Sequence, residues 1–183
     1  MFWSSSGNSS GGTTVETPSK LTEADLLKQG YQLKWQDNFD GNFLNRADWN
    51  VELHEKGWVN SEWQEYVDSD KNIQVKDGKL LIKPVETVNA DGTRSYTSGR
   101  INTQGKHDFK YGYFECRAKV PTGKGYLPAF WMMPTDENLY GQWPKCGEID
   151  IMEVMGQETN KAYGTIHYGE PHDQSQGTCT VDA

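Results

Sequence analysis

The segment Gly147-Glu148-Ile149-Asp150-Ile151-Met152-Glu153-Val154 carries three carboxylates within one short stretch. Read as a strand, its side chains alternate, so Glu148 and Asp150 share one face while Ile149 and Ile151 point the other way, toward an expected core. Strict alternation would turn Met152 toward the acids and send Glu153 inward, and an isolated buried carboxylate is costly. A one-residue bulge near Met152, with Met152 as the extra residue, returns Glu153 to the acidic face. Three acids on one strip repel one another, so the arrangement calls for a use. Glycoside hydrolysis is such a use: a retaining mechanism needs a carboxylate nucleophile and a protonated carboxylic acid about 5–5.5 Å apart. Glu148 and Glu153 stand about four ladder steps apart once the bulge is discounted, roughly 13 Å at ~3.3 Å per residue. Side chains leaning toward each other on a concave strand close most of that gap. Asp150 between them is expected to raise the pKa of one neighbour and hydrogen-bond the other, the three titrating as a coupled set.

Without further context, a solvated acidic strand face or a calcium site is the plainer reading of three such acids. The flanks change the balance. Trp143-Pro144 precedes the strand, and Pro128-Ala129-Phe130-Trp131-Met132 supplies a second aromatic strand. An indole is a good stacking platform for the C–H face of a pyranose.

The elements that must hold these residues are mostly strands. Thr22-Glu23-Ala24-Asp25 before Leu26 and Leu27, with Gly30 as a stop, predicts one short helix. From Tyr31 the period changes to two. Strands are expected at Tyr31–Trp35, Asn50–Leu53, Ile73–Val75, Lys79–Pro84, Tyr96–Asn102, Tyr111–Val120, Leu127–Met133, Glu148–Val154 and Ala162–Tyr168. Asp77-Gly78, Asn89-Ala90-Asp91-Gly92, Gly105 and Thr122-Gly123-Lys124-Gly125 punctuate them. Many short strands with regular turns predict a sandwich of two antiparallel sheets. Residues 1–20, rich in Ser, Gly, Thr and Asn, read as a flexible leader or linker, leaving 21–183 as the folded part.

Composition narrows the partners. The 183 residues carry a formal charge of -8, which argues against nucleic acid and against an anionic membrane surface. No run approaches the ~18 apolar residues of a membrane span. Seven Trp and nine Tyr exceed what a core of this size needs and point to a binding surface for flat ligands such as sugars. Neutral polysaccharide is compatible with an acidic protein. The three cysteines, Cys116, Cys146 and Cys179, match neither a zinc pattern nor a dense disulfide frame. Buried free thiols are the plainer expectation, with one disulfide plus one free thiol as the alternative.

Between Tyr31 and Gly169 the chain resembles glycoside hydrolase family 16, in its laminarinase-like (endo-β-1,3-glucanase) branch. The landmarks, in order, are Asn60-Ser61-Glu62-Trp63-Gln64-Glu65-Tyr66, Tyr96-Thr97-Ser98-Gly99-Arg100, Lys124-Gly125-Tyr126-Leu127-Pro128-Ala129-Phe130-Trp131-Met132, Trp143 through Glu153, and Tyr163-Gly164-Thr165-Ile166-His167. Met152 lengthens the acidic motif by one residue relative to the lichenase-like branch. The resemblance implies an all-β, concanavalin-like β-jelly-roll sandwich with a sugar-binding cleft on its concave face. It implies Glu148 as nucleophile, Glu153 as acid/base and Asp150 as the assisting carboxylate. Asn60, Arg100, Trp131 and Trp143 would bind substrate on the non-reducing side, and His167 would face the acid/base from the next strand. It further implies a secreted or cell-surface protein, a monomer when the full domain is present, acting on β-glucan without a catalytic cofactor. A structural calcium with ligands near Asp40-Gly41 is common in such proteins.

Each residue also has a plainer role. Asn60 could cap a turn, Arg100 could pair with a structural carboxylate, Trp131 could be core, and a lone strand His is as readily a supporting residue. Trp35 and Trp49 read as packing residues; Trp58 and Trp63 are open. The family pattern runs on for several strands beyond Gly169, whereas Glu170–Ala183 is polar and ends. The last third of the sandwich is therefore expected to be missing, as in a fragment of a longer chain. Two rivals remain: a non-catalytic glycan-binding module of the same fold, and a sibling hydrolase of mixed-linkage glucan, agar or carrageenan.

Overall fold

The computed structural model describes residues 2–4, as backbone, and 21–181. Apart from 2–4, the expected leader 1–20 lies outside the described residues. The elements are β1 (Phe2–Ser4), α1 (Glu23–Lys28), β2 (Gln32–Trp35), β3 (Asn50–Val51), β4 (Gln64–Tyr66), β5 (Ile73–Val75), β6 (Leu80–Ile82), β7 (Val85–Val88), β8 (Arg94–Ser98), β9 (Ile101–Asn102), β10 (Tyr113–Phe114), β11 (Ala129–Met132), β12 (Glu148–Glu153), β13 (Lys161–Tyr168) and β14 (Asp173–Thr180), with a 3-10 turn at Glu137–Leu139. The helix starts as its sequence predicts: the Thr22 hydroxyl accepts from the Asp25 N–H, and the Asp25 carboxylate accepts from the Thr22 N–H at 3.0 Å. No helix among the described residues is long and apolar enough to cross a membrane.

The chain forms two compact units, Met1–Glu115 and Cys116–Ala183. In the first, Leu44, Ile73 and Val75 are buried beneath Phe39, Trp49, Val51, Leu80 and Ile101. Trp35 packs edge-on to Trp49 at 5.4 Å, and the Trp49 indole donates to Asp37, so both tryptophans are packing residues. Asn72, buried, donates to the Lys83 carbonyl and to Thr97 Oγ1, which clips the β5–β6 hairpin to β8. The strand expected over Tyr96–Asn102 is broken at Gly99, where a Cβ would sit 2.5 Å from Ile73 Cγ1. Strand β4 pairs with β8 in parallel, the one departure from an antiparallel plan among the described ladders.

In the second unit β11, β12, β13 and β14 form one antiparallel sheet in that order. Strand β14 has the polar sequence of a tail; its backbone nevertheless pairs along all eight residues of β13, from Lys161↔Thr180 to Tyr168↔Asp173. Ladder formation needs only backbone donors and acceptors, so a polar strand leaves no hydrophobic signature. Conversely, Tyr111–Val120 alternates well yet pairs only at Tyr113–Phe114. Of the three cysteines, all free, only Cys146 is buried; Cys116 and Cys179 are exposed, which corrects the expectation of buried thiols.

The turn after β12 is held against the loop before β11. The Gly123 N–H donates to the Gly156 carbonyl at 2.7 Å, and the Gly156 N–H donates to the Tyr126 carbonyl at 2.8 Å. A Cβ on Gly156 would overlap the Gly123 carbonyl oxygen and approach the Tyr126 Cβ to 2.9 Å, whereas one on Gly177 meets nothing within 4 Å. Gly156→Ala should therefore cost about 2–3 kcal/mol, while Gly177→Ala should stay within about 0.5 kcal/mol. Chemical denaturation of the two variants side by side measures the contrast.

Candidate active site

Strand β11 has no irregularity of its own and serves as a ruler for β12. Its residues Ala129 and Trp131 lie on one face, Phe130 and Met132 on the other. Ala129 stands opposite Glu153, Phe130 opposite Met152, Trp131 opposite Asp150 and Met132 opposite Ile149. Directly opposed residues share a face, so Glu153 and Asp150 lie together with Trp131. Strand β13 gives the same answer: Glu148, Asp150 and Glu153 pair with His167, Thr165 and Tyr163, every second residue along one face. The expected bulge is present, but the residue left without a partner on β11 is Ile151 rather than Met152. Met152 sits across from Phe130, on the face of Ile149. Two positions, Ile151 and Met152, compete for the role of extra residue, and the hydrophobic pattern does not distinguish them.

Ile149 does lie opposite the acids, but Ile149 and Ile151 are exposed rather than core, as is Ile166, the partner of Ile149. Alternation fixes the face a side chain takes, not whether a layer covers that face.

The three acids differ in surroundings. Asp150 is 4% exposed, and its Oδ2 lies 3.1 Å from His167 Nε2. Burial, then the charges of Glu148 and Glu153 and a hydrogen-bond contact with Glu148, push its carboxyl up to about 6, against the opposing effect of His167. Glu153, half-buried, is raised too, first by burial and then by Glu148, with His167 again opposing. The expectation that Asp150 would raise a neighbour is thus altered: Asp150 is itself strongly perturbed, and Glu148 raises Glu153. Glu148 accepts the Trp143 indole N–H at 2.6 Å.

Trp131 lies on the acidic face, opposite in direction to Phe130 and Met132. Trp143 is 46% exposed beside the turn Gln142–Gly147. His167 stands across from Glu148, with its Nε2 beside the Asp150 carboxylate; the residue across from Glu153 is Tyr163. Two residues on this surface were not singled out from the sequence. Tyr163 is one, its hydroxyl donating to Glu158 at 3.0 Å. His172, in the β13–β14 turn, is the other, with its Nε2 3.0 Å from His167 Nδ1. A His in a polar hairpin turn carries no periodic signal, and only the register of β14 reveals what it meets.

Asn60 and Arg100 belong to the first unit. Asn60 sits at φ 50° in the turn Val59–Glu62, a conformation Asn tolerates well. Arg100 Nε donates to Glu52 Oε2 at 2.8 Å and its guanidinium lies 5.0 Å over the Trp58 ring and 5.7 Å over Tyr66. Glu52 also accepts from Asn102 and is held below the usual carboxylate range by these partners in spite of its burial. Trp58 stacks on His54 at 3.5 Å. Arg100 thus has the structural carboxylate partner weighed from sequence, within an aromatic and polar cluster.

Among the described residues, the one group that could hold a metal ion is Glu148, Asp150 and His167, with donor atoms within 4.8 Å of one another. Calcium prefers six to eight oxygens, so this set with its imidazole suits a transition ion better. Asp40, the site of the expected calcium, is not part of it.

The family model for glycosyl hydrolases family 16 matches residues 56–181. A glucan endo-1,3-beta-glucosidase A1 of Niallia circulans is 43% identical over 171 residues, 85% of this chain and 25% of that protein. A glucan endo-1,3-beta-glucosidase of Cryptopygus antarcticus is 44% identical over 146 residues, 77% of this chain and 52% of its own length. Among solved structures, the catalytic domain of an endo-1,3-beta-glucanase (laminarinase) from Thermotoga petrophila superposes with a TM-score of 0.72 at 37% identity, over 82% of this chain and 63% of that one. The chain therefore spans between a quarter and about half the length of these two curated relatives, and its fold is the all-β jelly roll of that structural group. Model, relatives and structure agree: the chain belongs to glycosyl hydrolases family 16.

Proposed function

We propose that this chain carries the catalytic strand of a retaining endo-β-glucanase acting on β-1,3-glucosidic bonds, as in laminarin, with mixed β-1,3-1,4-glucan as a second substrate. The observation that carries the reading is the placement of Glu148, Asp150 and Glu153 on one face through the bulge at Ile151. The names of the relatives support the substrate class. A polymeric substrate of this kind is met outside the cell, which supports a secreted or cell-surface location for the protein.

In this reading Glu153, its carboxyl raised by burial and by Glu148, gives its proton to the departing glycosidic oxygen. Glu148 attacks the anomeric carbon and the leaving sugar departs, forming a covalent glycosyl-enzyme. Glu153 then takes a proton from water, and the hydroxyl displaces Glu148, releasing the sugar with its β-configuration. Asp150, with His167 on its outer oxygen, shares a hydrogen bond with Glu148 and limits the negative charge beside it. Trp131 and Trp143 offer faces for sugar stacking. Asn60 and Arg100 are assigned to substrate binding from the resemblance, Arg100 through the face of its cluster with Trp58. No step needs a metal.

Reducing-sugar release from laminarin, barley-type glucan and agarose tests the substrate class; binding to laminarin without release would favour a non-catalytic module. Proton NMR of the first products should show the β-anomer. Glu148→Gln should lower turnover on the order of 10³-fold or more while laminarin affinity stays within a few-fold.

The ionisation of Asp150 gives a second prediction. Its folded pKa, about 6, lies above the unfolded value of about 4. Between these values the native state binds more protons than the unfolded chain, so this group makes stability fall as pH rises through that window. Asp150→Asn removes the effect. The variant should gain on the wild type by of order 2 kcal/mol between about pH 4 and pH 7. Urea denaturation across that range reads it; a constant difference would contradict the assignment.

A further inference from the structure

In the first unit, one carboxylate gathers side chains from two neighbouring segments. Val51 pairs with Ile101, and one residue further on the Glu52 N–H donates to the Arg100 carbonyl at 2.9 Å. The two side chains meet beside that bond, where Arg100 Nε donates to Glu52 Oε2 at 2.8 Å. His54, two residues on and bridged to Tyr66, places its Nε2 2.9 Å from the same oxygen. Asn102 donates to the other oxygen, Oε1, at 2.9 Å. Both groups that meet Oε2 also touch Trp58. The His54 ring stacks on the indole with centroids 3.5 Å apart and planes 6° from parallel, and the Arg100 guanidinium lies 5.0 Å from the indole centre.

We propose that Glu52 is a positioning residue that fixes the plane of the Arg100 guanidinium over Trp58, and so sets the arginine for binding of the glucan chain. A bond to Nε, the guanidinium nitrogen nearest the stem, restrains the rotation of the whole planar fork. Arg46 and Arg94 offer the contrast. They pair with Asp68 and Glu86 through a terminal nitrogen, and their side chains are more than half exposed, so their forks can pivot. The Arg100 and Glu52 side chains are only 20% and 17% exposed. Glu52 is itself held from both sides, in a way its amide could not reproduce. A carboxylate has two accepting oxygens; glutamine has one, and its NH2 group would face a donor whichever way it turned. In one orientation that donor is the Asn102 amide, in the other the Arg100 Nε–H, which can only donate. Asn102 cannot turn round to adapt without losing two bonds, because its Oδ1 accepts from Asn50 Nδ2 at 2.9 Å and from the Gln104 N–H at 3.0 Å. Glu52 therefore acts through Arg100 rather than by touching sugar.

The binding consequence rests on the function proposed above; the orientation of Arg100 does not. In ¹⁵N NMR of the whole labelled chain, the Arg100 Nε–H, identified by its loss in Arg100→Lys, should exchange with water on the order of 10-fold more slowly than those of Arg46 and Arg94. In Glu52→Gln that difference should disappear. On laminarin the KM of Glu52→Gln should rise roughly 5- to 20-fold with kcat within about 2-fold, as expected when ground state and transition state lose the same contact. In an Arg100→Ala background the same substitution should add less than about 2-fold, because the side chain it acts through is gone. A wild-type Arg100 Nε–H that exchanges as fast as those of Arg46 and Arg94 overturns the proposal, and this reading needs no folded Glu52 variant. Effects of Glu52→Gln and Arg100→Ala that multiply independently overturn it too. A wild type with the slow Nε–H but neither binding nor hydrolysis of laminarin would uphold the orientation and count against the proposed function alone.

Discussion

One irregularity in one strand organises this protein. Were the same sequence a flat, regular strand with no bulge at Ile151, Glu153 would lie with Ile149 and Met132 on the far face of the sheet, and the surface beside Trp131 would hold two acids instead of three. The local cost of a bulge is a disrupted ladder. Here the ladder is restored on both sides, by Ala129 and Trp131 on one neighbour and by Tyr163 and Thr165 on the other. Two regular flanking strands therefore hold an irregular central one. That is a rigid way to display three carboxylates, because each is fixed by backbone register rather than by a flexible loop.

The electrostatic pattern follows from that display. Three like charges on one strip are tolerated because they are not all charges at once: burial and mutual repulsion favour protons on Asp150 and Glu153. An indole N–H and a neighbouring imidazole supply the compensation. Trp143 donates to Glu148, and His167 lies against Asp150. The aromatic residues that looked like a sugar platform from composition thus also carry the donors that make the acidic strip affordable.

Legibility in the sequence was uneven for physical reasons. The acidic motif was readable because alternation plus the cost of burying Glu153 demanded a bulge, and the structure supplies one, displaced by a single position. The helix was readable because Thr22 and Asp25 form a local device with its own signature. Strand β14 was not, since Asp173–Thr180 is exposed throughout and leaves no apolar pattern. Tyr111–Val120 failed in the opposite sense: its alternation is clean, yet pairing requires a neighbour that no local pattern specifies. His172 was invisible because its contact with His167 comes from a hairpin turn between two strands, and Arg100 was ambiguous because Glu52 lies far from it in sequence.

Trp143 illustrates what an exposed aromatic can be when its edges are tied. The indole nitrogen is held by Glu148, and the ring leans on two imidazoles. Nearly half of its surface faces solvent, yet the hydrogen bond and the ring contacts restrain the side chain. A flat ligand settling on that ring would meet a partly pre-organised partner, so part of the usual entropic penalty of about 0.5–1.5 kcal/mol for immobilising a large side chain is already met in folding.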